Sequence, residues 1–240
     1  EIELMRKANQ IVRDTLDLVG REIKAGMTTA QVDKLVYDYI TSCGAKPSFL
    51  GYEGYPASAC VSINEEVVHG IPSPRRFIEE GDIVSVDVGS IYKGYNGDAA
   101  RTFMIGQVSE EKKRLVEVTR QSFFEGVKVL KDGCRLGDLG WAIQSYVESN
   151  GFSVVRALVG HGIGTDMHED PSVPNYGTPG RGMRLKAGMT IAIEPMVNAG
   201  TFDVKVLSDD WTVVTRDGRP SAHYENTVVI TQDGCEILSL

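Results

Sequence analysis

The chain has 240 residues, of which 42% are hydrophobic, and its formal net charge is −8 at pH 7. This length can bury one good core or two small ones, and the acidic balance argues against a general nucleic-acid or membrane surface. No apolar run reaches the ~18 residues that a membrane span needs, and the acidic first residues do not resemble a signal peptide. Because the four cysteines are widely spaced, a reducing compartment is favoured, and we expect a cytoplasmic protein.

The first half of the chain is predicted to contain two helices followed by strands. Thr28 and Gln31 form a capping-box pattern that begins the second helix, and Gly44 ends it. Glycine and asparagine are frequent in 92–97, which predicts a turn. The predicted elements are helices at 3–24 and 28–44, strand-like sequence at 57–69, and a hairpin at 83–105 with strands at 83–88 and 99–105.

The second half repeats this order. Ser109 is placed to begin the third helix, and Gly151 to end the fourth. No proline-rich or serine-rich linker separates the two halves. The predicted elements are helices at 109–130 and 136–150 and strands at 152–159, 189–194, 212–216 and 224–231.

The two halves share residues at a constant shift of 107 positions, as Gly81 and Gly188 show. Six residues after these glycines stand Asp87 and Glu194. A single register across helical and strand-like segments indicates two copies of one supersecondary unit. We therefore expect one α+β domain over 1–240, with pseudo-symmetric halves 1–106 and 107–240 and helices packed on one side of a curved antiparallel sheet. The other matched pairs are Lys24 and Lys131, Gly26 and Gly133, Tyr39 and Tyr146, Ser42 and Ser149, and Gly44 and Gly151.

Both repeated acids share a strand face with a small residue. Side chains alternate between the faces of a strand, so Asp87 shares its face with Ser85, and Glu194 shares its face with Ala192. A face with small side chains and one acid suits a site that admits a ligand. The opposite faces are apolar and are formed by Val84, Val86, Val88, Ile191 and Ile193.

Two further carboxylates are expected at the same place. Asp98 lies on the return strand of the hairpin, within reach of Asp87, and Glu225 lies in the last strand of the second half. Four carboxylates that converge without cations would repel one another strongly. The sequence therefore predicts two divalent cations, and an oxygen-rich site suits Mg, Mn, Co or Fe(II), with Zn also compatible.

Two histidines stand near these acids in the sequence. His161 lies between Gly160 and Gly162, and we interpret it as a metal ligand, with the glycines allowing the backbone to approach a ligand closely. His223 precedes Glu225 by two residues and should share its face. For His223 we favour a structural histidine whose hydrogen bonds are satisfied.

These motifs together resemble type I methionine aminopeptidase, and the resemblance covers essentially the whole chain. It implies the pita-bread fold, a pseudo-symmetric α+β domain, which the internal repeat supports independently. Two departures are Met167, where Phe is common, and Asn226, where His is frequent. The motifs that carry the resemblance are Val67-Val68-His69-Gly70-Ile71-Pro72, Asp87, Asp98, Gly160-His161-Gly162-Ile163-Gly164, Ile193-Glu194-Pro195 and Tyr224-Glu225-Asn226-Thr227.

The resemblance also implies a role for each matched residue. Asp87 would bind one metal ion, and His161 and Glu194 the other, while Asp98 and Glu225 bridge the two. His69 and His168 would flank the scissile peptide bond and, with Glu194, take part in catalysis. Because Met167 is flexible, it would soften the wall of the methionine pocket. The pocket-lining positions would be Tyr52, Tyr55, Cys60, Met167 and Trp211.

The activity implied is metal-dependent removal of the N-terminal methionine from nascent proteins and peptides whose second residue is small. A water activated by two metal ions (Co, Mn, Fe(II) or Zn) would attack the first peptide bond, with Glu194 carrying its proton to the leaving amine. We expect a monomer whose partners are nascent polypeptides, with a transient contact to the ribosome. Two alternatives are a proline-specific pita-bread peptidase, which usually carries a large extra N-terminal domain, and a non-catalytic pita-bread binding module, which usually lacks the metal ligands.

Overall fold

The computed structural model describes residues 1–240 and contains four helices and fifteen strands. The helices are α1 (Ile2–Glu22), α2 (Thr29–Ser42), α3 (Glu110–Val127) and α4 (Leu136–Ser149). The strands of the first half are β1 (Lys46–Pro47), β2 (Ala59–Ile63), β3 (Glu66–Val68), β4 (Ile83–Tyr92) and β5 (Tyr95–Met104). Those of the second half are β6 (Ser153–Val154), β7 (Gly160–Gly162), β8 (Glu169–Val173), β9 (Thr190–Ile193), β10 (Met196–Asn198), β11 (Val204–Val206), β12 (Val213–Thr215), β13 (Ser221–His223), β14 (Asn226–Ile230) and β15 (Cys235–Ile237).

The four predicted helices are confirmed, together with the cap that begins α2. The backbone N–H of Gln31 donates to the Thr28 hydroxyl at 3.3 Å, and the Thr28 N–H donates to the Gln31 side chain at 2.8 Å. These bonds satisfy two of the donors that a helix leaves free at its first turn. Helix α2 therefore begins where the sequence pattern predicts.

The glycines of the internal repeat adopt matching backbone conformations. Gly81 and Gly188 have φ angles of +88° and +93°, and Gly44 and Gly151 have +72° and +83°. These values lie in the left-handed region that glycine tolerates and most residues avoid. The repeat in the sequence thus reflects the same turns in both halves.

The strands form four antiparallel sheets, whereas the sequence predicted one curved sheet. Pro195 lies between β9 and β10, which belong to different sheets, and proline cannot donate a ladder hydrogen bond. The predicted strand at 152–159 is reduced to β6, whereas the hairpin strands are longer than predicted. The sheet orders are β1-β4-β2 with β5 also on β4, β13-β10-β6, β11-β12-β3, and β15-β14-β9-β7-β8.

The apolar faces predicted from strand alternation are confirmed as core. Val84, Val86 and Val88 are fully buried in a cluster with α1 and α2. Ile191 and Ile193 are fully buried in a second cluster with α3 and α4. The two largest parts of the core therefore belong one to each half of the chain.

The two halves are joined by hydrogen bonds between β5 and the start of β14 with the residue before it. The N–H of Glu225 donates to the carbonyl of Ala100 at 3.0 Å, and the N–H of Ala100 donates back at 3.4 Å. The Thr227 hydroxyl donates to the carbonyl of Asp98 at 2.9 Å. This junction places the acids of both halves side by side. None of the helices has the length and apolar character needed to cross a membrane.

Candidate metal centre and adjoining pocket

The hairpin of the first half supplies two carboxylates. Asp87 of β4 lies opposite Ala100 of β5, so Asp98 occupies the diagonal position two residues away. The Asp98 backbone N–H donates to the side-chain oxygens of Asn9 and Thr227, each at 3.2 Å. Contacts from both halves therefore hold the backbone of Asp98.

The second half builds a similar diagonal with different residue types. His161 of β7 lies opposite Ala192 of β9, and Glu194 follows two residues later. The Nε2 atom of His161 is 3.7 Å from Asp98 Oδ2 and 3.7 Å from Glu194 Oε1. Glu225 lies between β13 and β14, not inside the strand predicted for it.

Asp98 and Glu225 are buried and Asp87 and Glu194 are half-buried, and none of the four carboxyl groups forms a salt bridge with a lysine or an arginine. One oxygen each of Asp87, Asp98 and Glu225 is buried and has no hydrogen-bond partner. Burial raises the pKa of Asp87 to about 7. Burial, followed by the charge of neighbouring carboxylates, raises the pKa of Asp98, Glu194 and Glu225 well above the usual range.

This donor set fits divalent cations. Ligand atoms of Asp98, His161 and Glu225 lie within 4.8 Å of one another, and so do those of Asp87, His223 and Glu225. Unpartnered carboxylate oxygens in a buried position are costly unless a cation or donor satisfies them. Because oxygen ligands dominate, the set suits a divalent cation that prefers oxygen ligands.

The ring of His161 is oriented by its own backbone. Its Nδ1 lies 2.8 Å from the carbonyl oxygen of Gly162, and burial lowers its pKa to about 4, so the ring is neutral. The interpretation of the flanking glycines was wrong. A Cβ at Gly160 would lie 2.3 Å from the carbonyl oxygen of Ala192, so this glycine allows strand packing, not ligand approach.

His69 and His168 line the cavity beside the acids. The Nδ1 of His168 is 2.8 Å from the Tyr52 hydroxyl, and its ring centroid is 4.2 Å from that of His161. His69 has a φ angle of +61°, an uncommon conformation for a residue other than glycine. Burial lowers the pKa of His168 and lowers that of His69 to about 4, so both rings are neutral at neutral pH.

An apolar pocket adjoins the carboxylates in a cavity of about 230 Å³. Tyr55 is buried and donates its hydroxyl hydrogen toward the carbonyls of Ala59 and Gly70, each at 3.1 Å. Its ring meets that of Trp211 edge-on at 5.0 Å. Every site residue predicted from the sequence lines this cavity: Tyr52, Tyr55, Cys60, His69, Asp87, Asp98, His161, Met167, His168, Glu194, Trp211 and Glu225.

Several residues at the site were missed from the sequence. Asn175 is fully buried and donates to the backbone carbonyl of Glu194 at 2.9 Å, where β9 ends. Leu158 and Val159 closely precede His161 in the sequence, and this position could have indicated that they line the cavity. The additional lining residues are Phe49, Glu53, Val68, Leu158, Val159 and Met196.

The prediction that His223 is a satisfied structural histidine was wrong. The side chain is buried as expected, but neither ring nitrogen has a hydrogen-bond partner. Burial lowers its pKa to about 3, so the ring is neutral. Asn226, by contrast, does not line the cavity, and its Oδ1 accepts hydrogen bonds from Arg101 at 2.7 Å and Ser239 at 3.0 Å.

The fold and the site together define a metallopeptidase with the pita-bread fold. The family model of metallopeptidase family M24 matches residues 3–232. A methionine aminopeptidase of Clostridium acetobutylicum is 59% identical over all of this chain and 96% of its own length. A crystal structure of methionine aminopeptidase from Thermotoga maritima, 51% identical, superposes with a TM-score of 0.98 over 100% of this chain and 96% of that chain.

The chain therefore belongs to metallopeptidase family M24 and, within it, to the methionine aminopeptidases. Its activity is the metal-dependent removal of N-terminal methionine. The proline-specific alternative is not favoured. The prolidase of Pyrococcus furiosus shares 25% identity with a TM-score of 0.80, and this chain covers 64% of that structure.

Proposed function

We propose that the chain holds two divalent cations (Co, Mn, Fe(II) or Zn) between its halves. Asp87 would bind one ion, His161 and Glu194 the other, and Asp98 and Glu225 both. The observation that carries this proposal is the group of four carboxyls, three of which have a buried oxygen without a hydrogen-bond partner. When bound, the cations would lower the pKa of the attacking water and polarise the substrate carbonyl.

We assign the proton transfer to Glu194. Its carboxyl faces the cavity that contains the neutral histidines, and we propose that it accepts the proton of the attacking water and delivers it to the leaving amine.

His69 and His168 are proposed to flank the scissile peptide bond. The contact of the Tyr52 hydroxyl with Nδ1 of His168 orients the ring, so Nε2 is the atom left for the substrate. The positive φ of His69 is consistent with a backbone held in place for function. Both residues would bind and orient the peptide without binding metal.

The substrate is proposed to be the N-terminus of a nascent polypeptide whose second residue is small. The aromatic and sulfur-containing walls of the pocket suit an unbranched thioether side chain. We further propose a single catalytic domain over 1–240 that acts as a cytoplasmic monomer and contacts the ribosome transiently.

The test is an assay of metal-depleted protein on the tripeptide Met-Ala-Ser, with each divalent cation added back. We expect chelation to abolish methionine release, and Mn, Co or Fe(II) to restore it. Full activity after verified metal removal would overturn the proposal. Equal rates on Met-Ala and Met-Lys peptides would overturn the preference for a small second residue.

A further inference from the structure

His223 is a buried histidine that the proposed mechanism does not use. It ends β13 and is 1% exposed, and both of its ring nitrogens lack a hydrogen-bond partner. A neutral histidine has one donor and one acceptor, and leaving a buried donor unpaired costs free energy. The ring of His223 therefore requires a hydrogen-bond partner, and no protein atom forms a hydrogen bond with either ring nitrogen.

Two carboxylate oxygens of the metal centre lie close to the ring. The Nε2 of His223 is 3.8 Å from Glu194 Oε2 and 3.8 Å from Glu225 Oε2. On the other side of Glu194, its Oε1 is 3.7 Å from the Nε2 of His161. Glu194 thus lies between two histidines and faces each with a different oxygen.

The two histidines differ at their second ring nitrogen. The Nδ1 of His161 contacts the carbonyl oxygen of Gly162 at 2.8 Å, so Nδ1 carries the hydrogen and Nε2 has the lone pair that binds metal. The Nδ1 of His223 has no such acceptor. Metal binding requires Glu194 and Glu225 to be ionised, and ionised carboxylates only accept hydrogen bonds, so in the metal-loaded protein the hydrogen of His223 is stabilised on Nε2.

We propose that His223 is a positioning residue that donates its Nε2–H to Oε2 of Glu194 in the metal-loaded protein. This inference rests on the proposed two-cation centre. Glu225 would serve both cations, whereas Glu194 would serve one, so Oε2 of Glu194 would remain free to accept a hydrogen bond. That oxygen has two lone pairs, so a bond from His223 still leaves one for the water proton.

The experiment compares His223→Leu, which removes the donor, with His223→Gln, which retains an N–H. Calorimetric titration of Mn²⁺ into each metal-depleted chain gives the affinity, and Met-Ala-Ser kinetics give kcat and KM. We expect His223→Leu to weaken Mn²⁺ binding about 10–100-fold, as loss of a ligand's supporting hydrogen bond does, and to lower kcat more than KM changes. His223→Gln should restore most of the affinity and of kcat.

A matched control is Ser221→Ala on the same strand. Its buried hydroxyl contacts the carbonyl of Val197 and the side chain of Asn198, not a carboxylate, so Mn²⁺ affinity should not change. Thermal melting of the metal-free variants checks that each one folds.

The outcomes separate this inference from the proposed function. If the wild-type chain does not bind Mn²⁺, the two-cation centre fails. If the wild type binds and His223→Leu binds equally well, or His223→Gln is no better than His223→Leu, the positioning role fails alone.

Discussion

The two halves of the molecule present their acids in different ways. Asp87 and Asp98 lie inside β4 and β5, each ten residues long and paired without interruption. Glu194 lies between β9 and β10, and Glu225 between β13 and β14. The first half therefore uses a short acid on a continuous hairpin, and the second half uses a longer acid where a strand is broken.

The difference indicates a division of roles. A regular hairpin fixes the short aspartate side chains through its ladder of backbone hydrogen bonds. Where the strands of the second half are broken, other groups hold the backbone in place. Asn175 donates to the carbonyl of Glu194, and Ala100 pairs with the backbone of Glu225. We infer that the first half is a rigid platform for two of the five proposed metal ligands. The second half carries the other three, together with two of the three proposed catalytic residues, His168 and Glu194.

The largest effect is expected in the second half, at Glu194. Glu194→Gln removes a ligand charge and the proposed proton acceptor together, so kcat on Met-Ala-Ser should fall about 10²–10⁴-fold. Glu236→Gln is the control, because Glu236 lies on β15, forms a salt bridge with Arg6 and does not line the cavity. Turnover near wild type with metals bound would show that Glu194 has neither role.

The two neighbouring histidines of the second half should separate binding from turnover. His168→Ala should keep near-normal Mn²⁺ affinity while kcat falls about 10²-fold, because an interaction with the reacting peptide is lost. His161→Ala should weaken Mn²⁺ binding instead. Calorimetry paired with tripeptide kinetics measures both quantities. The reverse pattern would exchange the two assignments.

In the metal-free protein, Asp87 should make the free energy of unfolding depend on pH. The pKa of Asp87 is raised to about 7, so the folded chain binds a proton that the unfolded chain releases above about pH 4. The contribution of Asp87 to the free energy of unfolding should therefore fall as pH rises from about 4 to 7, on the order of 1 kcal/mol per pH unit.

Urea unfolding of metal-free wild type and Asp87→Asn isolates this contribution from that of the histidines, whose lowered pKa values act in the opposite direction. The stability of wild type relative to the variant should decrease from pH 5 to pH 7, and Mn²⁺ should reverse the decrease. A relative stability that rises with pH would contradict the burial of Asp87 as an unpaired acid.

The sequence predicted the helices and the hairpin. The resemblance to a known family named twelve site residues, and all of them line the cavity. The strands predicted at 189–194 and 224–231 correspond to β9 and β14, but β10 and β13 were not predicted, because each is only three residues long. The role of Gly160 was misjudged, since a crowded backbone neighbour on another strand leaves no local trace. His223 was misjudged for the same reason: its missing partners are a property of the folded chain.

The smallest effect is expected in the methionine pocket. Met167 is 5% exposed and packs with Phe49, Tyr55 and Cys60. Met167→Phe exchanges two apolar side chains, so the KM for Met-Ala-Ser should change less than about tenfold while kcat is kept. Steady-state kinetics measures this, and a large loss of kcat would place Met167 closer to the reacting bond than proposed.

The central claim is that the two halves build one two-cation centre together. Equilibrium dialysis with Mn²⁺, followed by metal analysis, counts the ions bound by wild type, Asp87→Asn and His161→Ala. We predict two ions for wild type and one for each variant, since each substitution removes the ligand that serves a single ion. Two tightly bound ions in both variants, or none in wild type, would contradict a centre shared between the halves.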